Sequence, residues 1–369
     1  MTALAQQHGA LNLSQGFPDF EGPPDIIEAA IAAMRAGENQ YARSMGHPAL
    51  VNAIAERERT LYGLEYDPWK EVVVFSGATE GIASSMLGLL DPGDEVILFE
   101  PFYDSYPACC AMNGAIARYC ALRFPDFSFN ESELASLFNE RTRLLLLNSP
   151  HNPTGKVFSR DELDLIAELC RRYEVIVLTD EVYEHLTYDG VEHVPIATLQ
   201  GMRERTLRLS STGKTYSLTG WKVGWATGPE PLVRAAQAAH QFVTYATATP
   251  LQCAMAEAIR RHQRDYFASL RADYTKRRNL LLAGLRAAGF EVTVPKGAYF
   301  VLAAFAHLWE GDDRSFARYL VEKHKIAAIP PSVFYKEHTE EGKRLLRFAF
   351  CKKLQTLAEA RERLEGIHR

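Results

Sequence analysis

Leu144-Leu145-Leu146-Leu147-Asn148, then Ser159-Arg160-Asp161-Glu162, then Val175-Ile176-Val177-Leu178-Thr179-Asp180, together decide the fold. The first run is apolar without alternation, as a strand covered on both faces must be. Ser159 followed three residues later by Glu162 has the form of a capping box, in which side chain and backbone satisfy each other at a helix start. Behind it, Leu163, Ile166, Ala167 and Cys170 keep helical spacing. Val175–Thr179 is the next strand, rich in β-branched residues. Strand, helix, strand in this order predicts a parallel pair joined by a crossover helix. Working outward, Val72–Phe75, Glu95–Phe99 and Thr206–Leu209 read as further strands, and Thr79–Leu90 as a helix stopped by Asp91-Pro92-Gly93-Asp94. The expected class is α/β with a largely parallel sheet. Ligands of such sheets sit beyond the carboxyl ends of the strands, so Asn148, Asp180 and the residues after Leu209 are the positions to inspect.

The C-terminal part reads differently. Residues 262–290 form a long helical pattern, Tyr299–Ala304 and Leu345–Phe350 read as strands, and Leu354–Leu364 as a final helix. This predicts a second, smaller α+β domain. A chain of 369 residues fits two domains at a rough size of about 150 residues each. The expected division is an N-terminal segment 1–27 packing with the small domain, a large domain 28–265 and a small domain 266–369. With 47% hydrophobic and 24% charged residues the composition is that of a globular protein, which excludes a disordered or collagen-like chain. A net charge of −5 provides no basic field for nucleic acid or an anionic membrane. No apolar run approaches the roughly 20 residues of a membrane span. The first basic residue is Arg35 and no apolar stretch follows Met1, so no secretory signal is expected and the default location is cytoplasmic. The six cysteines form no C-x-x-C pair and read as reduced core thiols. Neither H-E-x-x-H nor G-x-S-x-G occurs, His151 and His185 have no second histidine at ligand spacing, and no metal is expected.

Ser210-Ser211-Thr212-Gly213-Lys214-Thr215 ends like a P-loop. That motif needs a glycine at position 208, which is Arg208, so nucleotide binding is rejected. A lysine at a strand's carboxyl end among small hydroxylated residues can instead form a Schiff base with an aldehyde cofactor. A carboxylate at a strand end, Asp180, can bind a metal, act as a base or hold a protonated nitrogen. Pyridoxal phosphate (PLP) requires the last of these, because a protonated ring withdraws electrons from a carbanion. Asn152, in His151-Asn152-Pro153-Thr154-Gly155, is either a turn residue or a hydrogen-bond donor to the cofactor's phenolic oxygen. Ser76-Gly77-Ala78-Thr79 stands between strand and helix, where free amides bind phosphate. Arg347 lies inside the apolar run Leu345–Phe350. It is costly there unless paired, and its fork suits a carboxylate.

In order, His151–Gly155, Asp180-Glu181-Val182-Tyr183, Ser211-x-x-Gly213-Lys214 and Gly220-Trp221-Lys222-Val223-Gly224 resemble the class I, fold-type I PLP-dependent aminotransferases over about Leu11 to Leu364. Gln15–Phe20 and Glu100–Tyr106 are most similar to the subgroup of kynurenine, glutamine–phenylpyruvate and methionine aminotransferases. The resemblance implies the PLP-dependent transferase fold, with a mostly parallel seven-stranded sheet flanked by helices and a smaller α+β domain. It implies that Lys214 carries the cofactor and moves the substrate's Cα proton, and that Asp180 pairs with the ring nitrogen. Asn152 and Tyr183 would hold the phenolic oxygen, and Tyr103, or alternatively Phe102, would stack on the ring. Gly77, Ala78, Thr79, Ser211 and Lys222 would bind the phosphate. Arg347, with Asn152 and the segment at Gly16 and Phe17, would bind the substrate's α-carboxylate. Tyr41 would reach the phosphate of a neighbouring subunit, implying a homodimer with shared sites. Many relatives carry arginine where Lys222 stands, and lysine turns a forked contact into a point charge. The arm before Leu11 is shorter than relatives usually have.

The implied activity is two-stage transamination between amino acids and 2-oxo acids. Phe17, Tyr103, Tyr106, Phe242 and Tyr245 are expected to line an apolar pocket. The stretch 240–250 contains no arginine for a distal carboxylate. Methionine, aromatic amino acids, glutamine or kynurenine are therefore expected over aspartate. A β-lyase acting on cysteine conjugates would share these residues. A non-catalytic PLP-binding regulator is the third reading, and the intact residue set speaks against it.

Overall fold

The computed structural model describes residues 1–368. Seven strands form the central sheet: β1 (Val72–Phe75), β2 (Glu95–Glu100), β3 (Ile116–Ala121), β4 (Thr142–Asn148), β5 (Ile176–Asp180), β6 (Thr206–Ser211) and β7 (Gly224–Thr227), in the spatial order β1-β7-β6-β5-β4-β2-β3. Only β7 runs antiparallel to its neighbours. The leucines of β4 show why its run does not alternate. Leu145 and Leu147 pack with Leu163, Ile166 and Cys170 of the helix Arg160–Arg172 on one face. Leu144 and Leu146 pack with Ile82 and Met86 of the helix Ala78–Leu89 on the other. Each buried leucine contributes about 2 kcal/mol. The capping box forms as expected: Glu162 N–H donates to Ser159 Oγ, and Ser159 N–H donates to the Glu162 carboxylate.

Two strands of the central sheet are not among those read from the sequence. β3 is an edge strand, Ile-Ala-Arg-Tyr-Cys-Ala, half exposed and without a β-branched run. β7, Gly-Trp-Ala-Thr, is fully buried but contains neither valine nor isoleucine. Its place between two strands, not its propensity, makes it β-structure.

The long helix Arg264–Ala287 carries Tyr274, Leu281 and Leu285 against a second, antiparallel sheet of Glu291–Val292, Phe300–Ala304 and Leu345–Ala349, with Phe300–Ala304 in the middle. The helix Leu354–Glu365 closes this layer. The N-terminal segment joins the same layer. Leu11–Asn12 pairs in parallel with Ile326–Ala327, and Ala349 N–H donates to Leu13 O. Asp19 accepts from Lys353 N–H and from the Thr356 hydroxyl. Residues 14–19 are thereby strapped beside Arg347, across from the carboxyl ends of β4, β5 and β6. All six cysteines are free and five are buried. No helix among the described residues is long and apolar enough to cross a membrane.

Candidate active site

A cavity of about 350 Å³ opens between the two layers at those strand ends. Asn148 ends β4, Asp180 ends β5, and Ser211 ends β6, which runs into a single helical turn, Thr212–Thr215, carrying Lys214. Gly16, Phe17, Gly77, Ala78, Thr79, Tyr103, Asn152, Asp180, Tyr183, Ser211, Lys214, Lys222 and Arg347 all line it. Tyr41 does not; it is 83% exposed, its ring edge-on to Tyr245 at 5.2 Å.

The apolar-pocket expectation needs correction. Phe17 and Tyr103 line the cavity, but Tyr106 is buried behind it. Its hydroxyl donates to Asp180 Oδ2 at 2.8 Å, because a carboxylate buried at a strand end requires a donor. Phe242 is 86% exposed and Tyr245 is also exposed, both on the outer surface of their own chain. His240 is buried with both ring nitrogens engaged, by Glu80 and by Ser44 O. Of the two candidate stacking rings, Phe102 is core, packed near Tyr119.

Lys214 Nζ has one polar contact, Gly16 O at 3.4 Å, and lies over the rings of Tyr183 and Tyr299. Burial lowers its pKa, and the charges of Lys222 and Arg347 add to this. The lysine is thus biased toward a free amine. Burial pushes the Asp180 carboxyl the other way, upward, opposed by Tyr106, the Val182 N–H and the Lys214 charge. Both shifts express one condition: charged groups held out of water without a full partner.

Arg347 is a third case of that condition. One guanidinium nitrogen donates to Asn152 Oδ1 at 3.1 Å and another to Ser14 O at 2.9 Å, while its Nε has no partner. It is held between the rings of Phe300 and Phe334 at 4.4 and 4.9 Å, with no carboxylate. Burial pulls its pKa down to about 10, which leaves it cationic at neutral pH.

The anion end is built from backbone. Gly77 has φ +86°, and a Cβ there would stand 2.9 Å from Lys222 Cε. The positive φ is what reserves this position at the start of the helix Ala78–Leu89 for glycine, and the end of the Lys222 side chain lies against it. Lys222 itself takes the left-handed conformation, φ 54° and ψ 47°, a strain of the kind kept at working sites. Free amides, the helix dipole and an ammonium then converge on one point. The sequence marks Asn148 as a strand-end position but assigns it no role. Its side chain donates to Asp180 O and accepts from Asn152 N–H, tying two strand ends together. Its position at the end of β4 was the available signal.

The profile of aminotransferase class I and II matches residues 9–364. The probable N-succinyldiaminopimelate aminotransferase of Mycobacterium tuberculosis is 44% identical, over 100% of this chain and 94% of its own length. The solved structure of the N-succinyldiaminopimelate aminotransferase from that organism superposes with a TM-score of 0.96, covering 100% of this chain and 96% of the other. The methionine aminotransferase of Escherichia coli is 40% identical over 100% and 94%, and a mouse kynurenine–oxoglutarate transaminase 41% over 98% and 85%.

The chain belongs to the class I and II aminotransferases.

Enzymes of this family depend on PLP, and the aminotransferase has the groups to receive it. They include a lysine amine without an ion pair, a buried carboxylate, an amide-lined helix start closed by Lys222, and a glycine at a positive φ where that helix begins. Among the described residues, one trio of possible metal ligands gathers elsewhere, Glu38, His47 and Cys253. His47 Nδ1 already accepts from Ala49 N–H, so Nε2 carries the hydrogen and has no lone pair for a metal.

Two outcomes follow for the aminotransferase. Tyr106→Phe removes a hydrogen bond to a charged group, about 1.5 kcal/mol, so kcat/KM is expected to fall about tenfold. An unchanged value would mean that Asp180 is held by other groups. Stripping PLP removes roughly 2.7 kcal/mol of linkage at a hundredfold excess of ligand over Kd. The thermal midpoint is then expected to drop by about 5 °C, measured by calorimetry with and without added PLP.

Proposed function

We propose that this aminotransferase takes its amino group from methionine, an aromatic amino acid, glutamine or kynurenine and delivers it to a 2-oxo acid in two half-reactions. The observation that supports this reading is the set of cations around the cavity. Among the described lining residues they are Lys214, Lys222 and Arg347. Lys214 and Lys222 serve the cofactor and Arg347 the α-carboxylate, which leaves no fourth cation for a distal carboxylate. Phe17, Tyr103 and Phe300 supply an apolar wall instead.

In this reading Gly77, Ala78, Thr79, Ser211 and Lys222 hold the phosphate. Tyr103 covers the ring, Asp180 keeps its nitrogen protonated, and Asn152 and Tyr183 donate to its phenolic oxygen. Bound PLP supplies an electron sink for the carbanion formed at the substrate's Cα. Arg347 grips the α-carboxylate through its fork, with Gly16 and Phe17 beside it, so that Cα–H faces Lys214. Lys214 Nζ, biased by burial toward the neutral amine, takes that proton and returns it on the other side of the reaction. Tyr41 acts on the neighbouring subunit's phosphate site, which makes the exposed Tyr41–Tyr245 surface part of a homodimer contact.

Initial rates measured against both substrates are expected to give parallel double-reciprocal lines, the sign of a ping-pong mechanism. Intersecting lines would sink the two-half-reaction scheme. In a donor panel, methionine and phenylalanine should turn over faster than aspartate; the reverse order would refute the substrate class. N-succinyldiaminopimelate belongs in the panel because of the relative at 44% identity. Pyruvate and ammonia released without any 2-oxo acid would indicate β-elimination instead.

A further inference from the structure

Behind the cavity the same turn carries a second set of side chains. Asp180 and Tyr183 line the cavity. Glu181 and Glu184, on the opposite side of the turn, are buried against Arg208, which is 1% exposed. Arg208 Nε donates to Glu181 Oε2 at 2.7 Å, and its two terminal nitrogens donate to Glu58 and Glu184. One guanidinium therefore spends its donors on three carboxylates. Arg57 braces the cluster, donating to Glu58 at 2.5 Å and to Glu184 at 2.7 Å. It also meets His185 Nε2 at 2.8 Å, and since a guanidinium only donates, His185 is the acceptor there and neutral. Glu184 further accepts from Tyr62 and Ser210, and Glu181 from Thr179 and His193.

We propose that Arg208 is a positioning residue that holds the Asp180–Glu184 turn, through Glu181 and Glu184, where it presents Asp180 and Tyr183 to the cofactor. This rests on the roles proposed above for Asp180 and Tyr183. The strand geometry gives the arrangement its purpose. Arg208 sits on β6 beside Thr179 of β5, and Glu181 N–H donates to Leu209 O. β6 continues directly into the turn that carries Lys214. Arg208 is thus rooted in the element that delivers the lysine and clamps the element that delivers the carboxylate and the phenol. It fixes the two relative to each other.

Burial pushes both Glu181 and Glu184 upward, and Arg208 is the largest of the opposing groups; with His193 beside Glu181 and Arg57 beside Glu184 it holds their carboxyls below the ordinary range. Without Arg208, Glu58 and Glu184 share the single guanidinium of Arg57, and Glu181 keeps only His193 and the Thr179 hydroxyl. The carboxylates must take up protons or move, and the turn moves with them. A buried ion cluster need not add to stability, since apolar replacements are often neutral.

The test uses PLP-loaded Arg208→Lys, Arg208→Met and Glu181→Gln, with Asp180→Asn alongside. The readouts are kcat and KM for methionine and the pH midpoint of the bound cofactor's visible absorption. In the Arg208 and Glu181 variants kcat is expected to fall about ten- to a hundredfold from misplacement, with KM changed less than about threefold because Arg347 is untouched. The midpoint is expected to shift by about one pH unit, and Arg208→Lys should lie between Arg208→Met and the parent. If Arg208→Met does not fold, Glu181→Gln decides, because it changes one atom and keeps a side-chain acceptor. An unchanged midpoint and kcat in the folded Arg208 and Glu181 variants, with both altered in Asp180→Asn, overturns the positioning role alone. If Asp180→Asn is also silent, the Asp180 reading fails and the positioning role fails with it.

Discussion

Lys214→Ala is expected to cost on the order of 10⁴-fold or more in kcat, the upper range for a proton-transfer group that also anchors the reacting centre. The variant should no longer hold the cofactor covalently, so its visible absorption should be lost on gel filtration. The fold should survive. Lys214 has only a 3.4 Å contact to Gly16 O, so truncation breaks no ion pair. Removing it should relieve a cost, with a sign that can be checked. Burial lowers its pKa below the usual lysine value, so the unfolded chain binds this proton over a pH range where the folded one does not. Apoprotein stability therefore rises as pH climbs from the lowered value toward the ordinary lysine range. In Lys214→Ala that rise should be reduced, and the midpoint at neutral pH should equal or exceed that of the parent apoprotein. Turnover within about a hundredfold of the parent would mean that another base moves the Cα proton.

The parts of this molecule legible from sequence are those where one local rule acts alone. The β4 leucines, the Ser159–Glu162 box and the helix behind them each depend on neighbours within a few residues. The ordered motifs around Asn152, Asp180 and Lys214 were equally visible, because strand-end residues in an α/β sheet are known in advance to face the ligand. Long-range effects were not visible. β7 is a strand because β1 and β6 flank it. Tyr106 reads as another pocket aromatic until Asp180, 74 residues away, claims its hydroxyl. Phe242 and Tyr245 fall in the right stretch of sequence but on the outside of their own chain. In the sequence Arg208 figures only as the residue that spoils a P-loop. Nothing local reveals that three glutamates from two other segments surround it.

Arg347 offers the second large effect, in which function and stability separate. Within an apolar strand, its guanidinium has two hydrogen bonds, two aromatic faces and one nitrogen with no partner. A folded chain gains little from such a group, since a buried charge without a counter-ion costs free energy. A bound carboxylate supplies the counter-ion. Truncating one side of a buried, hydrogen-bonded charge pair costs about 2–5 kcal/mol. Arg347→Met should therefore lower kcat/KM by roughly 30- to 5000-fold for every amino acid and every 2-oxo acid alike, because all carry the same α-carboxylate. Arg347→Lys should fall between, keeping the charge but losing the fork. Arg347→Met also removes a charge that lowers the Lys214 pKa and the donor to Asn152 Oδ1, so the bound cofactor's visible absorption should persist with its pH midpoint shifted, less so in Arg347→Lys. The thermal midpoint of Arg347→Met should be equal or higher, as when buried charges give way to apolar side chains. The two readouts check each other. A large fall in midpoint would show that Arg347 holds the sheet together and would explain lost activity without any substrate contact. A loss confined to some substrates would place Arg347 at the variable end of the substrate, away from its α-carboxylate. Parallel losses in both half-reactions at unchanged stability are the outcome that this buried, unpaired guanidinium requires.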